Sequence, residues 1–257
     1  MTGAITSNID VAQMVLYVFW VFFAGLIFYL HRENKREGYP LECDPPLGPR
    51  NRSVGFPDLP DPKTWILADG STLQAPRPEK PAPELQARKA YNFPGAPLDP
   101  VGDPLSAGVG PGSYAQRDDE PDLMWDGSVR MAPTRLATEF HVDENDPDPR
   151  GMPVWGLDGE AAGEVVDFWV DKAEPRIIFL EMALASDGTH VLIPMNFVNL
   201  RKNPQRVQID ALKAEQFAGI PRLKDPDQAT RLEEDKIMAY YGAGTLYATQ
   251  DRLEPLL

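Results

Sequence analysis

The sequence predicts a single N-terminal transmembrane α-helix and a mainly β domain that contains a small antiparallel barrel and ends in a short helix. Three observations predict this fold: one apolar run near the N-terminus, a proline-rich first half, and short alternating strands with Asp-Gly turns in the second half. We expect an N-terminal stretch 1–10, a transmembrane helix 11–31, an extended arm 32–115 and a β domain 116–257.

Residues 11–30, VAQMVLYVFWVFFAGLIFYL, contain no charged side chain. As a helix with a rise of about 1.5 Å per residue, the run is about 30 Å long, the thickness of the hydrocarbon core of a bilayer. Arg32, Lys35 and Arg36 follow it, whereas residues 1–10 contain no Lys or Arg. The positive-inside rule therefore places the N-terminus outside and the remaining chain in the cytoplasm. The three cations are the predicted membrane anchor, either as a plain topology signal or through lipid head groups.

Composition excludes several classes of function. The formal net charge of -14 leaves no basic stripe for nucleic acid, and the lone Cys43 allows no internal disulfide. No phosphate loop, dinucleotide fingerprint, His-Glu-x-x-His motif or nucleophile elbow occurs in the sequence. The three histidines, far apart in sequence, are interpreted as surface or capping groups rather than metal ligands. A search of the sequence for an active site therefore mostly fails.

The arm is predicted to be extended because proline recurs from Arg36 to about Gly112. A disordered linker is the alternative interpretation. The arm, however, contains many large apolar side chains, which would pack against a partner surface: Phe56, Trp65, Ile66, Leu67, Tyr91, Phe93 and Tyr114. Within the arm, residues 65–73 are a candidate hairpin with Asp69-Gly70 in the turn.

Beyond Arg150 the pattern changes to short, alternating β-rich runs. Asp-Gly pairs at 158–159 and 187–188 separate these runs, which is typical of hairpins. Five or six such strands predict the small antiparallel barrel. Near the end, Thr230 and Glu233 have the spacing of a capping box, and Gly242 is predicted to end the helix.

Acidic residues crowd two parts of the chain. Isolated exposed carboxylates are merely solvated charge at neutral pH, but crowded and partly buried ones repel one another, so that some pKa values rise and the set can pass protons. Asp171 and Glu174 are the best candidates because they follow the apolar strand VVDFWV. The acids concerned are Asp118, Asp119, Glu120, Asp122, Asp126, Glu139, Asp143, Glu144, Asp146, Asp148, Asp167, Asp171, Glu174, Glu181 and Glu233 to Asp235.

The sequence resembles the H subunits of the photosynthetic reaction centre of purple bacteria. The resemblance runs over almost the whole chain, and the order of its segments makes it specific. It rests on the single span followed by REGYPL, FPDLPDPKTWIL, GDPLSAGVGPGSYAQR, DPDPRGMPVWGLDGEAAGEVVDFWVD and LEEDKIMAYYGAGTLYAT. The family gives its name to the PRC-barrel fold, which agrees with the strand pattern.

The resemblance implies a non-catalytic subunit that caps the pigment-bearing L and M subunits on the cytoplasmic side and helps to conduct protons to the secondary quinone. The complex is expected to hold bacteriochlorophyll, bacteriopheophytin, quinones, carotenoid and a non-haem iron on other subunits. A cytochrome subunit, the light-harvesting antenna and membrane lipid are further expected partners. The expected location is the bacterial inner membrane, including its intracytoplasmic, chromatophore part.

Carried over by position, the proton-path residues of the family correspond to Asp126, Asp171 and Glu174, and Arg176 takes the place of a basic side chain after the Glu. Some members place histidines after the Asp-Gly that matches 126–127, whereas Ser and Val stand at 128–129 here. The resemblance therefore carries over the acids but not a histidine entry point.

Two other hypotheses remain open from the sequence. One is a membrane-anchored PRC-barrel module that recruits another partner and would be a stable, pigment-free monomer. The other is a periplasmic hydrolase, which requires the opposite topology and lacks a catalytic constellation. The apolar groups of the arm argue against the first alternative, because they require a large surface to cover.

Overall fold

The structure is a computed structural model, which describes residues 10–43, 51–77 and 85–253. The chain divides into two compact units. The first unit comprises the chain up to residue 83 together with 91–96, and the second comprises 84–90 together with the chain from 97 onward. Each unit is built in a different way.

The first unit begins with helix α1, Val11–Asn34. The side chain of Asp10 caps it by accepting a hydrogen bond of 2.7 Å from the Gln13 N–H. By length and composition α1 is a candidate membrane span, and none of its residues is buried within the chain. The predicted N-terminal apolar helix is confirmed as a candidate span, and it ends three residues beyond the expected position.

Two short hairpins follow α1 in the first unit. Strand β1, Leu41–Cys43, pairs with β2, Asn51–Ser53, and β3, Lys63–Ile66, pairs with β4, Thr72–Ala75. The second of these is the hairpin predicted at 65–73. Its turn is closed by the Gly70 N–H, which donates to the Leu67 carbonyl at 3.0 Å while Gly70 has a φ of 82°.

The second unit contains a small hairpin and a seven-stranded sheet. The hairpin joins β5, Ala87–Lys89, to β6, Leu98–Pro100. The sheet has the order β11-β10-β9-β8-β13-β12, and β7 also pairs with β9. The strands of the sheet are β7 Met131–Pro133, β8 Pro153–Trp155, β9 Ala161–Asp171, β10 Arg176–Leu184, β11 His190–Pro194, β12 Val198–Lys202 and β13 Gln205–Ile209.

This sheet confirms the mainly β fold and both predicted Asp-Gly turns. The 158–159 pair lies between β8 and β9, and the 187–188 pair lies between β10 and β11. Two details differ from a purely antiparallel closed barrel: β13 pairs with β8 in parallel, and the described strands form an open path. The parallel pair arises because β13 returns to β8 by a crossover rather than by a hairpin.

The apolar core lies in the second unit, on both faces of the central strands. Phe168 and Trp169 are consecutive in β9, so their side chains point to opposite faces, and both are fully buried. Helix α2, Arg231–Tyr247, covers part of this core with Ile237 and Tyr241.

The capping box of α2 is confirmed. The Glu233 N–H donates to Thr230 Oγ1 at 3.1 Å, and the Thr230 N–H donates to Glu233 Oε2 at 2.9 Å. The prediction that Gly242 ends the helix is wrong, because α2 continues to Tyr247. A Cβ at position 242 would lie 2.4 Å from the Pro111 carbonyl oxygen, so glycine permits a close approach of backbone inside the helix.

Candidate functional site

The candidate site is centred on an ion pair between Asp171 and Arg130. Asp171 is the last residue of β9, and its pairing with Met131 of β7 brings Arg130 beside it. Arg130 Nη2 lies 2.6 Å from Asp171 Oδ2, and Nε donates to both carboxylate oxygens at 3.0 Å. The Asp171 carboxylate is buried, with 4% of the residue exposed, so the pair lies at the edge of the core.

The environment of Asp171 favours its ionised form. Burial raises the pKa of its carboxyl, but hydrogen bonds from Arg130 and from the N–H groups of Glu174 and Ala173 outweigh burial, so that its pKa lies below the ordinary value. The expectation of a raised pKa at Asp171 is therefore wrong. The hydrogen bonds from the Arg130 guanidinium therefore affect the pKa of Asp171 more than the neighbouring acids do.

Two other predicted residues lie around the same arginine. Arg130 Nη2 is 3.7 Å from Glu174 Oε1, and Arg176 Nη2 is 3.2 Å from Glu174 Oε2. Arg130 Nη1 also donates to Asp122 Oδ2 at 3.3 Å. Both Glu174 and Arg176 are largely exposed, with about 60% of each side chain accessible. The structure thus joins Asp171, Glu174 and Arg176 in one cluster whose outer members face solvent.

Asp126 lies apart from this cluster, at the tip of the hairpin that ends at Arg130. The turn is closed by the Gly127 N–H, which donates to the Met124 carbonyl at 3.0 Å. Asp126 Oδ1 accepts the Ser128 N–H at 2.9 Å, and this bond holds the pKa of Asp126 below its ordinary value. Within the described chain Asp126 makes no hydrogen bond to the cluster. Its neighbour Trp125 is 95% exposed.

A polar cleft of about 160 Å³ lies next to the cluster, and the first turn of α2 forms one of its walls. It has space for several water molecules. Burial, with a smaller effect of Asp235, raises the pKa of Glu234 above its ordinary value. The cleft is lined by Arg117, Asp122, Arg130, Met131, Asp171, Arg176, Ile178, Ala229, Arg231 and Glu234.

Sequence reasoning missed Arg130 as the centre of the cluster and Glu234 as its perturbed acid. The sequence did contain a sign of the role of Arg130, because Arg130 is the only basic residue among the acids between 118 and 134. Glu234 was recognised only as one of three consecutive acids. Which of those three faces a buried cleft depends on how α2 packs, and the sequence pattern does not give that rotation.

A second ionic cluster surrounds Arg135, in a cleft of about 680 Å³. Arg135 Nη1 donates to Glu181 at 2.7 Å and to Asp167 at 3.2 Å, and both carboxylates are buried. Glu181 also accepts the Trp169 indole N–H at 2.9 Å, and His190 Nδ1 lies 2.6 Å from it. The His190 side chain is 56% exposed and hydrogen-bonds to Glu181. The described residues contain no group of three His, Cys, Asp or Glu side chains that could hold a metal ion.

The three predicted anchor residues lie at the end of α1. Lys35 is buried, and its ammonium group donates to the carbonyls of Val54, Gly55 and Pro57 at 2.7, 3.2 and 2.6 Å. Lys35 therefore holds the first unit together. Contact with lipid head groups stays a prediction.

Arg36 has a similar role at the same end of α1. It donates to the Asp61 and Ala75 carbonyls at 2.7 and 2.9 Å and pairs with Glu33 at 3.0 Å. The side chain of Arg32, in contrast, makes no hydrogen bond or ion pair with the described residues. Contact of Arg32 with a lipid head group stays a prediction.

The fold and the site together define a membrane-anchored protein with a PRC-barrel domain. The family model of the PRC-barrel domain matches residues 142–216. A second model, the photosynthetic reaction centre H-chain N-terminal region, matches residues 3–136, which is more than half of the chain. The chain therefore belongs to the H-chain family of the photosynthetic reaction centre, and it is a subunit of a complex rather than a protein that acts alone.

Proposed function

We propose that this chain caps the L and M subunits of the reaction centre on the cytoplasmic side and conducts protons toward the secondary quinone. The cluster of Asp171, Arg130 and Glu174 at the polar cleft carries the proposal for proton conduction. The apolar surface of the first unit carries the proposal for the cap. The pigments, quinones and iron belong to the other subunits in this proposal.

Proton conduction requires groups that exchange protons on a path that water can enter. Glu174 is exposed and takes protons from solvent, while Arg130 keeps the buried Asp171 ionised and fixed. Burial in the cleft raises the pKa of Glu234 above its ordinary value, so this carboxyl holds a proton more readily than an exposed glutamate does. Water in the cleft links these carboxyl groups, and Asp126 collects protons at the exposed hairpin tip.

The cap requires an apolar surface that a partner can cover. Phe56 and Ile66 are 83% and 79% exposed, and Trp65 is 40% exposed. Large apolar side chains that are exposed in this way are typical of interaction surfaces. On this proposal they pack against the L and M subunits, and α1 lies beside the helices of those subunits.

The proton path is tested with the double variant Asp171→Asn, Glu174→Gln in the intact reaction centre. We expect the second, proton-coupled electron transfer to the quinone to slow by about tenfold or more, with initial charge separation unchanged. The matched control is Asp187→Asn, Glu215→Gln, which also removes two acids, both of them exposed and neither of them lining the cleft. Unchanged kinetics in the first double variant would remove the proton path and leave the cap.

The cap and the orientation are tested separately. When the tagged chain is purified in mild detergent, the preparation should show near-infrared bacteriochlorophyll absorption bands. In sealed vesicles, protease should cleave the β domain only from the cytoplasmic side. A stable, colourless monomer would favour the anchored binding module instead. Protection of the β domain from cytoplasmic protease would contradict the proposed topology.

A further inference from the structure

The outer face of the sheet at β8, β13 and β12 carries two arginines, Arg201 and Arg206, that form no ion pair with any described residue. In the register of β12 and β13, Arg201 lies opposite Arg206, and Asn199 lies opposite Gln208. Like charges directly opposite each other on a sheet repel. No acidic residue occurs between Asp187 and Asp210 in the sequence. In a chain with a net charge of -14, this local excess of positive charge calls for an explanation.

Arg206 is held in place without being neutralised. Its guanidinium lies over the ring of Trp155, 5.1 Å from the ring centroid. Its Nε and the Trp155 Nε1 are both buried and have no hydrogen-bond partner. The other half-buried arginines of the described second unit, Arg130, Arg231 and Arg252, each have a carboxylate or carbonyl partner. Arg206 has neither among the described residues, so its guanidinium is held over the Trp155 ring without a paired anion.

Strand β12 beside this face is an open edge. Among the described strands it pairs only with β13, and its residues from Asn199 to Lys202 are exposed. Asn199 and Arg201 share the face of Arg206, while Val198 and Leu200 point to the opposite face. Leu200 is 38% exposed, and Lys202 follows it on the same face, so the edge has Arg201 on one face and two apolar residues followed by a lysine on the other.

We propose that this edge binds an extended acidic segment of a partner protein, which pairs with β12 as an additional strand. Backbone hydrogen bonds at a free edge supply affinity in such complexes, and alternating side chains supply specificity. The planar guanidinium of Arg206 matches a carboxylate, and Arg201 faces the same side. The bound segment therefore has Asp or Glu at alternate positions and apolar residues between them.

Two other possible occupants of the β12 edge, a second copy of β12 and inorganic phosphate, fit it less well. A second copy of β12 at the edge would bring Arg201 close to further cations, which disfavours pairing between copies. Inorganic phosphate would match the guanidinium groups but would make no use of the free edge or of Leu200. The open edge and the exposed Leu200 of β12 therefore favour a strand over a small anion.

The test uses the full chain in detergent and a fluorescein-labelled octapeptide of alternating Glu and Val, with binding followed by anisotropy. We expect the peptide to bind and Arg206→Gln to weaken its affinity by about tenfold. The matched control is Arg88→Gln, because Arg88 is a strand arginine of the same unit whose side chain is 76% exposed. An equal loss with Arg88→Gln would overturn the proposal in favour of unspecific charge attraction.

Two further measurements distinguish the addition of a strand to β12 from the binding of a simple anion. A peptide of the same composition with its four Glu contiguous should bind at least about fivefold more weakly, because its charges no longer share one face. In the unmodified chain, amide hydrogen exchange of β12 should slow when the alternating peptide is bound. Equal binding of both peptides, or displacement by inorganic phosphate with no change in β12 exchange, would overturn strand addition.

Discussion

The two units of this chain are stabilised in opposite ways. In the second unit a continuous apolar core surrounds the sheet and includes Phe179, Trp169 and Tyr241, all fully buried. In the described part of the first unit the buried residues are Lys35, Pro57, Pro60 and Ala96. The first unit therefore has no apolar core among its described residues, although it contains a long apolar helix and many aromatic side chains.

This difference shows what each unit requires from its surroundings. A unit with its own core buries enough apolar surface to offset the loss of chain entropy. The first unit instead relies on cations that bind backbone carbonyls, as Lys35 and Arg36 do, and exposes groups such as Phe56. An arm of this kind is suited to a membrane and a partner surface rather than to independent folding.

The largest expected effect is on the core of the second unit. Phe179→Ala leaves a cavity beneath β10 and should lower the free energy of unfolding by about 4 kcal/mol. Ile66→Ala in the first unit, where the side chain is 79% exposed, should change it by less than about 0.5 kcal/mol. Urea unfolding of the full chain in detergent, followed by tryptophan fluorescence, measures both. A comparable loss with Ile66→Ala would show that the first unit has a core after all.

A smaller change in stability is expected for a Gly→Ala substitution in each of the two helices, and its sign should differ between them. Gly242→Ala in α2 places a Cβ 2.4 Å from the Pro111 carbonyl oxygen and should destabilise the second unit by about 2 kcal/mol. Gly25→Ala in α1 meets no atom within 4 Å and should leave stability unchanged or raise it by up to about 1 kcal/mol. Thermal unfolding followed by circular dichroism distinguishes the two signs. Stabilisation by Gly242→Ala would mean that helix propensity outweighs the packing contact.

The same glycine illustrates how far the sequence predicts the fold. Local signals predicted local structure well: the apolar run, the Asp-Gly turns and the capping box at Thr230 all lie where expected. Gly242 was misinterpreted because a glycine that ends a helix and one that admits a neighbouring backbone look alike in sequence. Likewise the parallel pairing of β13 with β8 depends on contacts between distant segments, which periodicity does not report.

For the candidate site, the sequence predicted which acids take part but not the direction in which their pKa values shift. Asp171 and Glu174 were found from their position at the end of an apolar strand and from the family resemblance. Arg130 lowers the pKa of Asp171 because the register between β7 and β9 places the two side chains next to each other. That Glu234 lies in the cleft depends on the packing of α2. Both are properties of tertiary structure, which the pattern of charges does not determine.

A local effect is expected where the first unit depends on one ammonium group. Lys35→Met leaves three carbonyls, among them Pro57, without their donor and should destabilise the loop locally by about 1 kcal/mol. Amide exchange in residues 52–59 should accelerate, while unfolding of the second unit stays unchanged. Lys63→Met is the control, because Lys63 is half-exposed and pairs only with Glu33 among the described acids. Equal acceleration in both variants would contradict a specific role for Lys35.

The smallest expected effect is the pH dependence of the second unit, which buries carboxyl groups, whereas no described carboxyl group of the first unit is buried. The lowered pKa of Asp171, the net result of burial and stronger hydrogen bonds, contributes stability above its ordinary pKa of 3.8, and that stability is lost as the pH falls further. The pKa of Glu234, raised by burial, has the opposite effect: its contribution is present below 4.5 and lost as the pH rises.

Urea unfolding from about pH 3 to about pH 7 should therefore give two limbs of opposite slope. Asp171→Asn should flatten the acidic limb, and Glu234→Gln should flatten the limb above pH 4.5. Glu215→Gln removes one exposed charge and should leave both limbs in place. If Glu234→Gln left the upper limb unchanged, the proton-holding group of the cleft would have to be a different carboxyl, and the proposed path would need another final acid.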